Sequence, residues 1–140
     1  MYAQSARRAQ ATGIDDTTSM LFKFASGASG YLGTFIGTAE TWRMQVFGSK
    51  GWAEVGDVEH LSTWQVKTCF VDLENPFVNQ RPEVTRFPSM STERAELEYF
   101  ADAVSARRPI AIMAGDEVHG VAVLDAVMQS VKEGRNVVVG

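Results

Sequence analysis

Cysteine and histidine are scarce in this sequence of 140 residues. Because Cys69 is the single cysteine, an internal disulfide and a cysteine-rich metal site are excluded. We interpret Cys69 as a buried, inert thiol. The two histidines, His60 and His119, have no ligands at metal-site spacing beside them, so each is interpreted as a packing or surface side chain. Because disulfide-free chains are typical of reducing compartments, we expect a cytoplasmic protein.

Long apolar runs and basic stretches are also lacking. No run of about 18 apolar residues is present to span a bilayer, and residues 1–12 lack the apolar core of a signal peptide. Thirteen basic against seventeen acidic side chains give a net charge of −4. The arginine pairs at 7–8 and 107–108 form no stripe that would neutralise phosphates. The sequence therefore predicts neither a membrane nor a nucleic acid as partner.

The phosphate-binding loop of dinucleotide-binding proteins is missing as well. Gly27, Gly30 and Gly33 are regularly spaced, but they fall in and after a predicted hairpin and do not open a helix. A dinucleotide fingerprint needs a strand, a glycine turn and a helix in that order. These glycines are therefore not predicted to bind a cofactor. Together with the isolated Cys69, His60 and His119, this predicts no catalytic, cofactor-binding or metal-binding residue in this chain.

What is present over the first two thirds is the alternating pattern of antiparallel strands. Predicted strands cover residues 17–24, 29–38, 42–47, 52–55 and 61–71, with Gly27 in the turn of the first hairpin. Prolines at 76, 82 and 88 then interrupt the pattern, so residues 72–91 are predicted to be a long connection.

The last third is predicted to be helical. A first helix begins after Ser91, ends at Pro109, and carries the apolar stripe Leu97, Phe100, Ala101 and Val104. A second helix, for which Asp116 can serve as the cap, ends at Gly134 and carries the stripe Val121, Leu124, Met128 and Val131; a strand at 136–139 follows. Strands followed by helices predict an α+β fold, a mostly antiparallel open-faced sheet with helices packed on one face, as one domain over residues 1–140.

Aromatic side chains recur along the predicted strands. Tyr31 and Phe35 share a face of one strand, Trp42 begins the next, and Trp52 and Trp64 follow. A sheet covered by helices on one side leaves its other face for water or a partner, so these side chains form either a protein–protein surface or ordinary core. Only the sheet register decides between the two interpretations.

The order of these features resembles the C-terminal domain of the Gfo/Idh/MocA family (glucose–fructose oxidoreductase, inositol dehydrogenase and rhizopine catabolism). The resemblance covers roughly residues 14–140. Its landmarks are residues 14–28 (IDDTTSMLFKFASGA), 46–51 (VFGSKG), 98–100 (EYF), 107–109 (RRP) and the helix that runs from Gly115 to Arg135. Residues 2–5 are similar to the first strand of the large sheet of that family.

The resemblance implies a parent with an N-terminal Rossmann domain that binds NAD or NADP, a Glu-Lys-Pro motif that supplies a lysine, and a helix with Asp and His for proton transfer. No Rossmann half and no Glu-Lys-Pro motif is present in this sequence, and no Asp-x-x-x-His helix precedes residue 14. The chain is therefore expected to be a C-terminal domain or fragment of a nicotinamide-dependent sugar or polyol oxidoreductase, without activity alone and with no cofactor of its own.

Two contributions to such a parent are expected. Trp42 and Arg43 are suited to sugar hydroxyls and would form part of the wall of a substrate pocket. Tyr31, Phe35 and Trp64 would form a homo-oligomer interface on the open sheet face, as the family commonly does. The alternatives are a stand-alone, non-catalytic module that oligomerises or binds a small ligand, and an independent α+β enzyme whose site the sequence does not reveal.

Overall fold

The computed structural model describes residues 1–8, 13–58, 63–76, 78, 80–110 and 115–140. The chain divides into two compact units, one made of residues 1–38 with 110–140 and the other of residues 39–109. The described elements are β1 (Tyr2–Ala6), β2 (Thr17–Lys23), β3 (Ser29–Phe35), β4 (Met44–Gly48), β5 (Gly51–Val55), β6 (Gln65–Phe70), β7 (Glu83–Arg86), α1 (Thr92–Ser105) and α2 (Asp116–Glu133). Strands and helices segregate along the chain, so the predicted α+β class is confirmed.

The first unit is a three-stranded antiparallel sheet in the order β1-β2-β3. Ala3 pairs with Met20, which pairs with Leu32, so these three side chains share one face. Ala3 and Met20 are buried, and α2 lies against β1. The predicted hairpin is confirmed: Gly27 takes a positive φ of 89° in the turn between β2 and β3.

Helix α2 contacts the sheet through small side chains. Ala126 and Ser130 are buried, whereas Val121, Leu124 and Met128 are each more than three-fifths exposed at 67%, 64% and 65%. Three of the four residues of the predicted stripe are therefore exposed, and the fourth, Val131, is half-buried. Small side chains let the helix approach β1 closely enough for the Ser130 hydroxyl to accept a hydrogen bond from the Ala3 N–H.

The helix boundaries follow the predicted signals closely. The Ser91 hydroxyl accepts a hydrogen bond from the Arg94 N–H at 3.2 Å, as an N-cap should. Gly134 ends α2 in the left-handed conformation, with φ of 63°. The prediction that Asp116 caps α2 is wrong by one residue: the cap is Gly115, and Asp116 is the first helical residue.

The second unit contains a four-stranded antiparallel sheet in the order β4-β5-β6-β7. Strand β7 lies inside the stretch predicted to be a connection, so that prediction is wrong over Glu83–Arg86. The strand fits between Pro82 and Pro88 at the edge of the sheet, where a neighbouring proline interrupts no central ladder. The strands that the structure describes thus belong to two sheets of three and four strands.

The end of the chain runs beside β1. Residues 136–139 were predicted to be a strand; the structure assigns none there, but Val137 exchanges two hydrogen bonds with Met1, of 2.9 Å and 2.6 Å. Such a reciprocal pair is the unit of antiparallel pairing. One hydrogen-bonded residue pair, Met1 with Val137, is therefore found in place of the predicted strand.

Candidate functional site

The open face of the first sheet carries an aromatic pair. Tyr31 and Phe35 lie opposite Leu21 and Thr17 in the register, on the face away from Ala3 and Met20. Both rings lean over Gly33: a Cβ placed there would lie 2.7 Å from the Tyr31 hydroxyl and 2.7 Å from Phe35 Cε2. Because Gly33 has no Cβ, the ends of both side chains can lie over the strand at this position.

This pair remains largely accessible to solvent. Tyr31 is 62% exposed and Phe35 is 49% exposed. The Tyr31 hydroxyl lies 3.4 Å from the Ser19 Oγ on the neighbouring strand, so the patch has a polar edge beside its apolar centre. An exposed aromatic patch with hydroxyl groups at its rim has the composition of a protein–protein interface.

Trp42 is held where the second sheet begins. Its backbone N–H donates to the Asp57 carbonyl at 3.2 Å, which continues the pairing of β4 with β5 by two residues. Gly56 makes this possible with a φ of +104°: a Cβ there would lie 2.2 Å from the Trp42 carbonyl oxygen and 2.5 Å from its Cε3. The Trp42 indole therefore lies against Gly56, and any larger residue at position 56 would have to displace Trp42.

Arg43, the next residue, belongs to a charged cluster on the sheet. Its Nε lies 3.6 Å from Glu54 Oε2, and Lys67 Nζ lies 3.3 Å from Glu54 Oε1. Glu54 pairs directly with Lys67 and with Gln45, so these groups share one face of β4, β5 and β6. A single carboxylate thus separates and holds two cations.

Trp64 lies elsewhere in the second unit, just before β6. It adopts a left-handed backbone with φ of 47°, which is unusual for a bulky residue. Its carbonyl accepts a hydrogen bond of 2.8 Å from the Phe87 N–H beyond β7. An open cavity of about 510 Å³ lies here; its lining includes Val55, Gly56, Trp64, Val66, Phe87 and Met90.

The predicted site residues fall into three places. Tyr31 and Phe35 lie together in the first unit; Trp42 and Arg43 adjoin one another at the start of β4; Trp64 lines the cavity of the second unit. Their roles stay predictions. Sequence reasoning missed Glu54 and Lys67, although both fall on strands in the alternating pattern, because their pairing depends on a register that one strand does not reveal.

Other candidate chemistry is not gathered into a site. His60 lies outside the described residues, His119 is exposed on α2, and Cys69 is buried and free. In the described part of the chain no three His, Cys, Asp or Glu side chains cluster to hold a metal ion. Gly30 and Gly33 lie within β3, with no helix after them, so these glycines do not fit a dinucleotide.

Residues 1–54 match the family model of the GFO/IDH/MocA C-terminal domain. A crystal structure from Desulfitobacterium hafniense, assigned as an NADPH-dependent oxidoreductase, superposes with a TM-score of 0.79 at 20% identity, over 96% of this chain and 40% of that one. The predicted resemblance to a Gfo/Idh/MocA C-terminal domain is confirmed.

A second solved structure has the same fold. It is an aldose-aldose oxidoreductase from Caulobacter crescentus complexed with glycerol, with a TM-score of 0.69 and 17% identity, over 95% of this chain and 39% of that one. The chain thus spans about two fifths of the length of the solved structures it matches. No curated protein matches its sequence.

The lengths and apolar content of the helices bear on a membrane span. Within the described residues, none combines the length and the apolar character needed to cross a bilayer.

Proposed function

We propose that this chain is the substrate-side and assembly domain of a cytoplasmic, NAD- or NADP-dependent sugar or polyol oxidoreductase, and that it does not transfer hydride by itself. The observation that carries the proposal is the match of nearly the whole chain, 96%, to two fifths of an oxidoreductase. Hydride transfer needs a positioned nicotinamide and a base for the hydroxyl proton. Both would come from the remainder of such a protein.

For the substrate side, the proposal assigns Trp42 and Arg43 to the wall of a sugar pocket. An indole offers an apolar face to the C–H groups of a sugar ring, and a guanidinium offers several N–H donors in one plane to its hydroxyls. Arg43 is well placed for this role because its side chain is 67% exposed while one of its edges is held by Glu54.

For assembly, the proposal assigns the open face of β1 to β3 to a homo-oligomer interface. Tyr31 and Phe35 are its aromatic centre, and Leu21 lies directly opposite Tyr31 and is also exposed. Burying such a patch against a second copy stabilises the complex by removing apolar area from water, and aromatic centres of this kind dominate binding energy. Trp64 is assigned to contacts in the other unit.

Two measurements on the purified chain test the proposal. Static light scattering should give a dimer or larger species, and Phe35→Ser should shift it toward a monomer while Phe47→Ser, an exposed aromatic change in the other unit, should not. Incubation with NADPH or NADH and aldoses should leave the absorbance at about 340 nm unchanged.

Either measurement can contradict the proposal. Turnover of the dinucleotide by the isolated chain would show a complete enzyme and would end the non-catalytic assignment. A monomer at all concentrations would remove the assembly role. A stable oligomer of this chain as its natural product, with no larger parent, would favour the stand-alone module.

A further inference from the structure

Glu54 occupies an unusual place for a charged side chain in this chain. Its side chain is 12% exposed, and its two carboxylate oxygens face two different cations, Arg43 at 3.6 Å and Lys67 at 3.3 Å. Removing a carboxylate from water costs free energy that only close cations or hydrogen bonds offset. Glu54 is therefore fixed in place by its two partners.

The side chains of both cations are more exposed to solvent than that of Glu54. Arg43 is 67% exposed and Lys67 is 35% exposed, so both present part of their charged groups to solvent on the face that Glu54 shares. Two cations and one carboxylate leave one net positive charge. A long flexible side chain loses less entropy on binding a ligand when a neighbour already holds it in one geometry.

We propose that Glu54 is a positioning residue: it holds the Arg43 guanidinium and the Lys67 ammonium side by side so that together they bind a polyhydroxy ligand that carries a carboxylate. This inference rests on the proposed substrate role of Arg43. The free guanidinium edge donates in pairs to a carboxylate or to neighbouring hydroxyls, and the ammonium supplies a second, adjacent charge.

The direction in which one substitution changes the affinity for an anion distinguishes positioning from simple electrostatics. Glu54→Gln removes a negative charge beside the cations, so an unpositioned cationic patch would bind an anion more tightly. If Glu54 positions the cations, the same change releases Arg43 and weakens binding instead. Glu54→Asp keeps the charge but shortens the side chain by one methylene, so it no longer spans both cations and should also weaken binding.

D-gluconate is the probe, and D-glucose is its uncharged counterpart. Binding is followed on the full chain by ¹H–¹⁵N NMR, using the Trp42 indole N–H and the Arg43 Nε–H signals. We expect gluconate to bind more tightly than glucose, and Glu54→Gln and Glu54→Asp to raise its dissociation constant roughly threefold to tenfold, a change of up to one decade. The Arg43 Nε–H order parameter should fall in both variants.

Glu98→Gln is the matched control. It breaks the exposed Arg94–Glu98 pair on α1, at 2.7 Å, in the same unit and with the same change of charge. This control should leave gluconate binding unchanged. Circular dichroism on every variant separates loss of binding from loss of fold, since the Arg43 signal reports side-chain order in molecules that remain folded.

The outcomes distinguish this inference from the proposed function. If Arg43→Ala leaves gluconate and glucose binding intact, the substrate role of Arg43 fails and the inference fails with it. If Arg43→Ala abolishes binding but Glu54→Gln strengthens it or leaves it unchanged, the substrate role stands and positioning by Glu54 is overturned. Equal affinity for glucose and gluconate would overturn the carboxylate specificity.

Discussion

Ser130 and Ala3 are 127 residues apart in the chain and are joined by a hydrogen bond of 2.9 Å from the Ala3 N–H to the Ser130 Oγ. The same hydroxyl donates to the Arg135 carbonyl at 2.7 Å. Ser130 is fully buried, so one side chain satisfies the buried Ala3 N–H and also binds the Arg135 carbonyl. This link ties α2 and the segment after it to the first strand.

We predict that Ser130→Ala destabilises the chain by about 1–3 kcal/mol, because the buried Ala3 N–H loses its partner and gains none. Urea unfolding followed by circular dichroism measures the change. Ser26→Ala is the control: its hydroxyl accepts a hydrogen bond in an exposed turn, so the loss should stay within about 0.5 kcal/mol. Equal losses in the two variants would show that the Ala3 link contributes nothing particular.

A second prediction concerns Gly56, on which Trp42 is seated. Gly56→Ala should cost at least about 1 kcal/mol more than Gly27→Ala, because overpacking against backbone adds to the strain of a positive φ. A Cβ at Gly56 meets the Trp42 carbonyl oxygen at 2.2 Å, whereas a Cβ at Gly27 meets nothing within 4 Å. Both glycines have a positive φ, so Gly27 controls for strain alone.

Tryptophan fluorescence gives this variant a local readout. Displacing Trp42 should shift the emission in Gly56→Ala and leave it unchanged in Gly27→Ala. A stability loss no greater than that of the control would mean that the chain relaxes around the added methyl group without disturbing Trp42.

Local signals in the sequence predicted local structure well. The hairpin of β2 and β3 follows from strict alternation around Gly27, and Ser91 and Gly134 mark helix ends because caps act within one turn. Long-range features were not accessible. The division of the strands into two sheets, and the pairing that brings Glu54 between Arg43 and Lys67, depend on contacts between distant segments.

Two misses have specific physical reasons. Strand β7 was overlooked because three prolines surround it, yet an edge strand tolerates prolines just outside its ends. The apolar stripe predicted for α2 is also largely exposed, because helical spacing alone does not show which face meets the sheet. Here the close approach of helix and strand favours Ala126 and Ser130 over Leu124 and Met128.

The aromatic pair on the open face leads to a third prediction. Gly33→Ala should weaken self-association about tenfold while leaving the unfolding free energy within about 1 kcal/mol of the original, since a methyl group there pushes apart only the flexible ends of Tyr31 and Phe35. Gly30→Ala is the control: it lies on the same strand, and its Cβ approaches Phe24 at 3.1 Å on the opposite face.

Sedimentation equilibrium of the two variants measures this effect. We expect Gly33→Ala to associate more weakly than the original chain and Gly30→Ala to associate equally well. Equal dissociation constants would place the interface away from the Tyr31 and Phe35 rings and would contradict their assignment.

The last prediction is a pH dependence at the start of α1. Hydrogen bonds from the backbone N–H of Glu93, and then from the Ser91 and Thr92 hydroxyls, lower the pKa of the Glu93 carboxyl below its ordinary value. The Ser91 hydroxyl lies 3.2 Å from Glu93 Oε2. Because the folded pKa is the lower one, the ionised carboxylate stabilises the helix above the unfolded pKa, and this contribution is lost as the pH falls through the folded pKa.

An NMR titration of the Glu93 side chain tests this, with amide hydrogen exchange at Arg94 as the readout of fraying. We expect a pKa below that of an unperturbed glutamate and faster exchange at Arg94, relative to the intrinsic rate, once the carboxyl is protonated. In Glu93→Gln the acid-dependent step should disappear, because an amide does not titrate there. A Glu93 pKa at or above the ordinary value would show that the Ser91 contact does not hold the carboxylate in solution, and the acid sensitivity of α1 would then need another cause.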